Sequence, residues 1–218
     1  TVDDIVDVVQ EEATEDFQKL GGMEALDAPY LETGFFEMVR KRAGWLSVLF
    51  FGEMLTTHAM AHYEEEIARA VVLAVFIPLI ISSGGNSGSQ AATLITRSLA
   101  LGEVKPSDWL GIIRRELVTA VSIGAVLAGL GFLCVEFFAF IGAARTPHSL
   151  RLGIAVGMAI AAVVLWGTML GSLLPLVLKR LNIDPATASS PMVATLMDAS
   201  GTLIYLGVAI LLLTGSIL

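Results

Sequence analysis

The chain has 218 residues, of which 55% are hydrophobic and only 16% are charged, and its mean hydropathy is +0.77. Soluble domains usually carry about 25% charged residues, so this composition predicts a membrane protein. The net charge is −8, and 11 of the 21 acidic residues lie within the first 37 positions. An acidic head on an apolar body argues against nucleic-acid binding and favours interaction with cations or basic surfaces. The single cysteine, Cys134, excludes an intramolecular disulfide and argues against a thiolate metal site.

Residues 1–28 have the pattern of an amphipathic helix that Gly21 and Gly22 interrupt. Apolar residues recur at three- and four-residue steps, namely Val2, Ile5, Val6, Val9, Ala13, Phe17 and Leu20. One interpretation is a solvated surface helix. The other is that acidic residues paired at helical spacing repel one another until a cation screens them. These residues are Asp4 and Asp7, and then Glu12, Glu15 and Asp16. Because the chain opens at Thr1 without an initiator methionine, we expect a piece of a longer protein.

Five apolar segments follow, each near or above the roughly 20 residues that cross a bilayer as a helix. Their approximate bounds are 43–63, 67–101, 117–144, 152–178 and 191–218. The connections between them are short, which predicts a single all-α bundle of five transmembrane helices. We therefore divide the chain into an acidic cytosolic segment, residues 1–37, and a transmembrane domain, residues 38–218.

The distribution of lysine and arginine predicts the orientation in the membrane. Nine basic residues fall on one side if the segments at 40–42, 97–115 and 179–180 are grouped together. The other side then holds only Arg69, Arg145 and Arg151. This asymmetry predicts that the acidic N-terminal helix is cytosolic and that the C-terminus lies outside, as an odd number of spans requires.

The second segment contains an interruption, since Pro78 precedes the run Ser82–Gln90, which is rich in serine and glycine. Proline removes a helical hydrogen bond and glycine weakens a helix, so we expect broken backbone whose free carbonyls line a watery cavity. The alternative is close packing of small residues between membrane helices. Asn86 and Gln90 favour the cavity, because packing does not need their polar side chains.

The last segment carries one charged residue, Asp198, and no lysine or arginine that could neutralise it. A carboxylate in hydrocarbon costs several kcal/mol and normally faces a partner or water. Asp198 lies seven residues beyond Pro191, roughly 10 Å along a helix. It would meet the Ser82–Gln90 run from the cytosolic side. A wall made of carboxylate, amide and carbonyl oxygens suits Mg²⁺ or Ca²⁺.

Other polar residues give weaker evidence for a functional site. Glu53 and Glu136 are also intramembrane acids, and each faces either the bundle or a pore vestibule, unless Glu136 lies near the outer interface. His58 and His62 have the spacing of a helical zinc site, but Ala59 stands where a metalloprotease motif has glutamate. Neither a phosphate-binding loop nor a nucleophile elbow occurs in the sequence, so hydrolase chemistry has little support.

At these residues the chain resembles the MgtE family of bacterial magnesium channels over essentially its whole length. The resemblance rests on three stretches: the acidic opening Thr1–Asp16, Pro78 with Gly84–Gln90, and Pro191–Gly201 around Asp198. It implies a homodimer of five-helix subunits whose pore lies on the two-fold axis and is lined by the second and fifth helices.

The resemblance also implies the roles of individual residues. Asp198 would select hydrated Mg²⁺ with help from Ser82, Gly85, Asn86, Ser190 and Ala194. The acidic helix would close the pore when cytosolic Mg²⁺ bridges Asp4, Asp7, Glu12, Glu15 and Asp16. Ser89 and Ser190 stand where members of the family often have asparagine, so their shorter reach would alter the choice among Mg²⁺, Mn²⁺ and Ca²⁺.

The resemblance further implies an upstream helical N-domain and a CBS pair, and a bacterial cytoplasmic membrane as the location. The function expected is therefore Mg²⁺ uptake through a channel gated by cytosolic Mg²⁺, with membrane lipid and divalent cations as partners and no enzyme activity. A proton- or sodium-coupled carrier that uses a broken helix is the alternative. A membrane metalloenzyme built on His58 and His62 is a third hypothesis.

Overall fold

The computed structural model describes residues 2–69, 71–142 and 148–215, and the side chains of all of these except residues 2–4 and 69. Over these ranges the chain forms seven α-helices and no β-strand. The helices are α1 Val2–Leu20, α2 Phe35–His62, α3 Glu64–Arg69, α4 Val71–Ala100, α5 Trp109–Phe140, α6 Ser149–Arg180 and α7 Ser190–Leu213. Short 3₁₀ turns at Pro106–Asp108 and Pro185–Thr187 precede α5 and α7. The ends of the predicted spans at 143–144 and 216–218, and Arg145 of the orientation argument, lie outside the described residues.

Within the described ranges, four helical segments are long and apolar enough to cross a membrane: α4, the 3₁₀ turn with α5, α6 and α7. The predicted first span, residues 43–63, lies in α2, which is not one of these four. Its outward side chains are nevertheless apolar and exposed, for example Phe50, Phe51 and Leu55. A membrane crossing by α2, and with it the count of five, remains a prediction. So do the domain division at residues 37/38 and the orientation of the termini.

Helix α6 lies at the centre of the bundle, between α5, α4 and α7. Its contact with α4 depends on glycine residues, because a Cβ atom at Gly167 or Gly171 would strike the backbone of Gly84 or Gly88. A Cβ at Gly88 would in turn lie 2.7 Å from the carbonyl oxygen of Gly167. Small residues of this kind allow membrane helices to approach until their backbones touch. The glycines of the Ser82–Gln90 run thus bring α4 against α6.

The prediction of broken backbone in this run is wrong, because α4 is helical without interruption from Val71 to Ala100. Pro78 is accommodated inside the helix, although it cannot donate a hydrogen bond. Ser83 also bonds within the helix, since its Oγ donates to the carbonyl oxygen of Leu79 at 2.7 Å. The packing alternative therefore explains Gly84 and Gly88, and the carbonyl groups of this stretch remain in the helical ladder.

The N-terminal segment docks on the bundle through the connection between α1 and α2. Lys41 of α2 is buried, donates to the carbonyl oxygen of Ala25, and pairs with Asp27 at 2.7 Å. Gly22, whose φ of +75° favours glycine, packs between Trp45 and Pro191. These contacts hold the connection against α2 and the start of α7.

Helix α1 ends at Leu20, in agreement with the interruption predicted at Gly21 and Gly22, but residues 23–28 form no further helical turn. The glycine pair follows as a turn and terminates it. The apolar side chains of α1, including Ile5, Val9 and Phe17, are exposed. The described part of the chain does not cover an apolar face of α1, so its amphipathic role remains a prediction.

We predict that Gly171→Ala destabilises the bundle, because the added Cβ atom meets the backbone of Gly88, which cannot move without displacing α4. Overpacking of this kind costs about 1–3 kcal/mol. The measurement is the melting temperature of the purified protein in detergent. Gly111→Ala is the matched control, since a Cβ there meets nothing within 4 Å. An equal melting temperature for both variants would contradict the contact between α4 and α6.

Candidate functional site

A cavity of about 380 Å³ opens between α2, α4 and α7. Each helix contributes a stripe of residues at three- or four-residue spacing, which places them on one face of that helix. The stripes are Glu53, Thr56 and Met60 on α2; Pro78, Ser82, Gly85, Asn86 and Ser89 on α4; and Ser190, Ala194, Asp198 and Thr202 on α7. Ile77 and Ile81 complete the lining.

The start of α7 determines how Asp198 enters the cavity. Ser189 is the N-cap of this helix, and its hydroxyl accepts from the N–H of Met192 at 3.4 Å. Pro191 follows in the first turn, where its missing N–H causes no loss. From Ser190, two steps of four residues lead to Asp198 on the same face. Its carboxylate is half-buried between the other two helices.

The α4 side of the cavity is polar because it is the face of that helix opposite the glycine contact with α6. The amide nitrogen of Asn86 donates to Ser82 Oγ at 3.3 Å, so the amide oxygen is the atom that remains for a cation or its water. Ser89 Oγ donates to the carbonyl oxygen of Ser190 at 3.4 Å and thereby links α4 to the first residue of α7. A Cβ at Gly85 would approach Ala194 no closer than 3.9 Å, so this glycine leaves space in the cavity rather than enabling a tight contact.

The structure thus brings into one cavity all six residues expected to line a pore: Ser82, Gly85, Asn86, Ser190, Ala194 and Asp198. Gln90, which also favoured a cavity in the sequence, is exposed and is not part of the lining. Cation binding by the six residues remains a prediction.

Sequence reasoning left Glu53 without an assigned position, and the structure places it in the same cavity. Its carboxyl group interacts directly with that of Asp198. The sequence does place Glu53, Thr56 and Met60 on one face of a helix, because they are three and four residues apart. It does not show what that face contacts, because the cavity forms only where α2, α4 and α7 meet.

The chemistry of the lining is that of an oxygen site. Its ionisable groups are the two carboxylates, and the residues described around the cavity include no lysine, arginine or histidine. Hydroxyl and amide oxygens supply the remaining polar atoms. Such a set suits a hard divalent cation that keeps part of its water shell, as Mg²⁺ does. Nowhere in the described ranges do three or more Asp, Glu, His or Cys side chains gather as a metal-holding group.

Four of the five acidic residues expected to form a regulatory site lie on two surfaces of the described chain. Glu12, Glu15 and Asp16 line a cleft of about 320 Å³ against Asp184 of the connection between α6 and α7. Asp7 instead lines a wider groove on the other side of α1, together with Glu15. The side chain of Asp4 lies outside those that the structure describes. Regulatory cation binding therefore remains a prediction, and the geometry favours the cleft.

A lysine occupies the middle of this cleft. Lys19 Nζ lies 2.6 Å from Asp184 Oδ2 and 2.6 Å from Glu15 Oε1. The hydrogen bonds to Asp184 and then to Glu15 raise the pKa of Lys19 to about 12. Burial opposes ionisation of Asp184, but Lys19 and the N–H of Ala186 outweigh it and hold the pKa of Asp184 below its usual value.

The pKa of Asp16 is shifted in the opposite direction from that of Asp184. Burial, followed by the nearby charge of Asp184, raises the pKa of Asp16 above its usual value. Four acidic residues and only two lysines, Lys19 and Lys179, line the cleft, so it holds excess negative charge. The pairing of Lys19 with Asp184 attaches the C-terminal end of α1 to the bundle.

The remaining candidates are placed elsewhere. His58 and His62 are exposed at the end of α2, and the His62 ring packs edge-on against Tyr63 with centroids 5.0 Å apart. Glu136 lies between α5 and α6, where Ser149 Oγ donates to its Oε2 at 3.4 Å. These three residues do not line the cavity.

Comparison with known proteins gives close relatives over nearly the whole chain. The chain is 38% identical over 213 residues to the magnesium transporter MgtE of Thermus thermophilus. The aligned region covers 98% of this chain and 45% of that protein. It is 36% identical over 209 residues to the magnesium transporter MgtE of Enterococcus faecalis, covering 96% and 44%, respectively. The MgtE of Bacillus subtilis is 32% identical over 209 residues, with the same coverage. The chain spans about 45% of the length of these curated relatives.

A family model described as a divalent cation transporter matches residues 77–208, which include most of α4, all of α5 and α6, and most of α7. Proteins of this kind are transporters and not enzymes, so the metalloenzyme hypothesis for His58 and His62 has no support. The matched range also contains the α4 and α7 walls of the cavity. The chain therefore belongs to the MgtE family of divalent cation transporters.

Proposed function

We propose that this chain forms the transmembrane part of a Mg²⁺-selective channel that mediates Mg²⁺ uptake across the bacterial cytoplasmic membrane. The observation that carries the proposal is the position of Asp198, half-buried in a cavity that also holds hydroxyl and amide groups and that lies between α2 and two helices, α4 and α7, apolar enough to span a membrane. The relatives named as magnesium transporters support Mg²⁺ as the cation.

In this proposal Asp198 attracts the ion and the neutral groups hold its water. Asn86, Ser82 and Ser190 would accept from, or donate to, water molecules of a hydrated Mg²⁺, which gives up its shell reluctantly. The membrane potential would drive entry, since a divalent ion gains about 4.6 kcal/mol per 100 mV, twice the value for one elementary charge. Transport down this gradient would not require ATP.

The assembly that we propose is a homodimer with the pore on its two-fold axis. The cavity is open on one side in the single chain, and its α4 wall includes the exposed residues Ser82 and Asn86. A second copy facing this opening would enclose the pathway and place two Asp198 carboxylates around one ion. Helix α2 would form the fifth span, with Phe50, Phe51 and Leu55 directed to lipid.

We further propose that cytosolic Mg²⁺ regulates the channel through the acidic N-terminal segment, residues 1–37. Glu12, Glu15 and Asp16 face Asp184, and a bound cation would reduce the repulsion among these groups. The closed arrangement would gain stability in proportion to its greater affinity for the cation. Upstream N- and CBS domains of the same protein would supply further partners for α1, whose apolar residues are exposed.

A proton- or sodium-coupled carrier was the alternative function, and it depended on a broken helix at Ser82–Gln90. Since α4 is continuous, that support for a carrier is lost. Single-channel recording separates the two: a channel gives unitary current steps, whereas a carrier gives gradient-dependent flux without them.

We expect Asp198→Asn to reduce Mg²⁺ uptake by about tenfold or more. Even at the dielectric constant of bulk water, one charge about 6 Å from a divalent ion contributes about 1.4 kcal/mol, which is tenfold in affinity. Uptake is measured in proteoliposomes and as growth of a magnesium-auxotrophic strain. Glu136→Gln, which removes an acid outside the cavity, is the control and should transport as the wild type does. Normal uptake by Asp198→Asn would remove Asp198 from the pathway.

Lys19→Gln should weaken the attachment of α1 to the bundle, because Glu15 and Asp184 lose their common cation. Both partners are partly exposed, so the loss is about 1 kcal/mol or less, roughly fivefold in the docking equilibrium. The measurement is amide hydrogen exchange in α1 at neutral pH. Glu32→Gln, which changes an exposed charge in the connection, should leave that exchange unchanged.

The same ion pair predicts a pH dependence of docking. Because docking lowers the pKa of Asp184, this carboxylate stabilises docking above its ordinary pKa of 3.8, and the stabilisation is lost as the pH falls below that value. Because docking raises the pKa of Lys19, the lysine stabilises docking fully below pH 10.5, and this stabilisation is lost as the pH rises through about 12. The contribution of this pair to the protection of α1 against hydrogen exchange should therefore be complete and constant between pH 5 and 9, and a marked change in that protection across the interval would contradict the pairing.

A further inference from the structure

Glu53 is a second carboxylate in the cavity, and it comes from a helix outside the range that the family model matches. Helix α2 approaches α7 closely at the preceding residue, since a Cβ atom at Gly52 would lie 2.7 Å from Thr195 Cγ2. This approach brings the next side chain, Glu53, against Asp198, with which its carboxyl group interacts directly.

The surroundings of the two carboxylates lack the groups that usually neutralise such a pair. None of the described lining residues is basic. One step along the same face of α2, Thr56 Oγ1 is buried and is one of the buried side-chain atoms in the described chain that have no hydrogen-bond partner. Buried polar atoms normally have partners, so this unpaired hydroxyl is available to a ligand in the cavity that holds the two carboxylates.

We propose that Glu53 is a cation-binding residue of the cavity, which with Asp198 provides two negative charges per chain and so favours divalent over monovalent cations. The inference rests on the proposed transport function and deepens it. Each added carboxylate attracts a divalent ion about twice as strongly as a monovalent ion at the same distance, because the Coulomb energy is proportional to the charge of the ion. Thr56 would hold water of the ion's shell from the α2 side.

Glu53→Gln tests the proposal, since it keeps the size of the side chain and removes its charge. We expect the Mg²⁺ concentration at half-maximal uptake to rise by about tenfold, the effect of one charge near a divalent ion, and the preference for Mg²⁺ over Na⁺ to fall. Glu53→Asp, which keeps the charge, should retain most of the preference. Glu136→Gln is the matched control, because it also removes an intramembrane acid but lies between α5 and α6.

Two sets of outcomes separate this inference from the proposed function. If the wild-type protein does not transport Mg²⁺, the proposed function fails. If it does, and Asp198→Asn abolishes uptake while Glu53→Gln retains the wild-type half-saturation and ion preference, only the role of Glu53 is overturned. A purely structural role would lower the amount of folded protein and the maximal rate, and would leave half-saturation and ion preference unchanged in the protein that folds.

A second variant covers the case in which Glu53→Gln fails to fold. Glu53→Cys, in a background where Cys134 is replaced by alanine, is modified with an anionic or a cationic methanethiosulfonate reagent and checked by mass spectrometry. The anionic adduct should restore Mg²⁺ uptake and the cationic adduct should block it. Equal effects of the two reagents, or a thiol that neither reagent modifies, would overturn the placement of a functional carboxylate at position 53.

Discussion

The close contact of α4 with α6 is the constraint on which the rest of the structure depends. Gly84 and Gly88 meet Gly167 and Gly171 with backbone against backbone, so α4 has only one rotation about its axis that fits. That rotation directs Ser82, Asn86 and the rest of the polar stripe away from α6 and toward α7. The position of the cavity therefore follows from a packing rule that involves no ions.

Helix α7 uses two adjacent stripes in the same way. Val193 and Met197 pack against Gly88 and Gly84, respectively, while Asp198 and the other members of its stripe turn into the cavity. The charged residue is thus held by apolar neighbours that are fully buried. A site held by packed helices is more rigid than one on a loop, which a selective binding site requires.

The acidic N-terminal helix is held differently, by charge and not by packing. Its contact with the bundle centres on Lys19 and Asp184, in a cleft that retains excess negative charge. Electrostatic contacts at a partly exposed surface are weak and respond to salt and cations. The molecule therefore combines a cavity between tightly packed helices with a helix whose attachment depends on charge, and this difference supports the proposal that cations act on the N-terminal helix.

The sequence by itself determined the membrane character, the helical class and the importance of Asp198, because an unpaired carboxylate in an apolar segment is visible without a structure. It also placed Ser82, Gly85 and Asn86 near Asp198, although it was wrong about the backbone there. Glycine and proline lower the helical propensity of α4, but tertiary packing against α6 outweighs propensity and keeps the helix intact.

Only the tertiary structure decided which side chains share a surface. Glu53 joins Asp198 because Gly52 allows α2 to approach α7, a contact between residues more than 140 positions apart in the chain. Lys19 pairs with Asp184, which lies 165 residues away in the chain. Asp7 lines a different groove from Glu12 and Asp16, because of the way in which α1 packs on the bundle. Periodicity assigns each residue to a face of its own helix, whereas the facing partner depends on how the helices pack together.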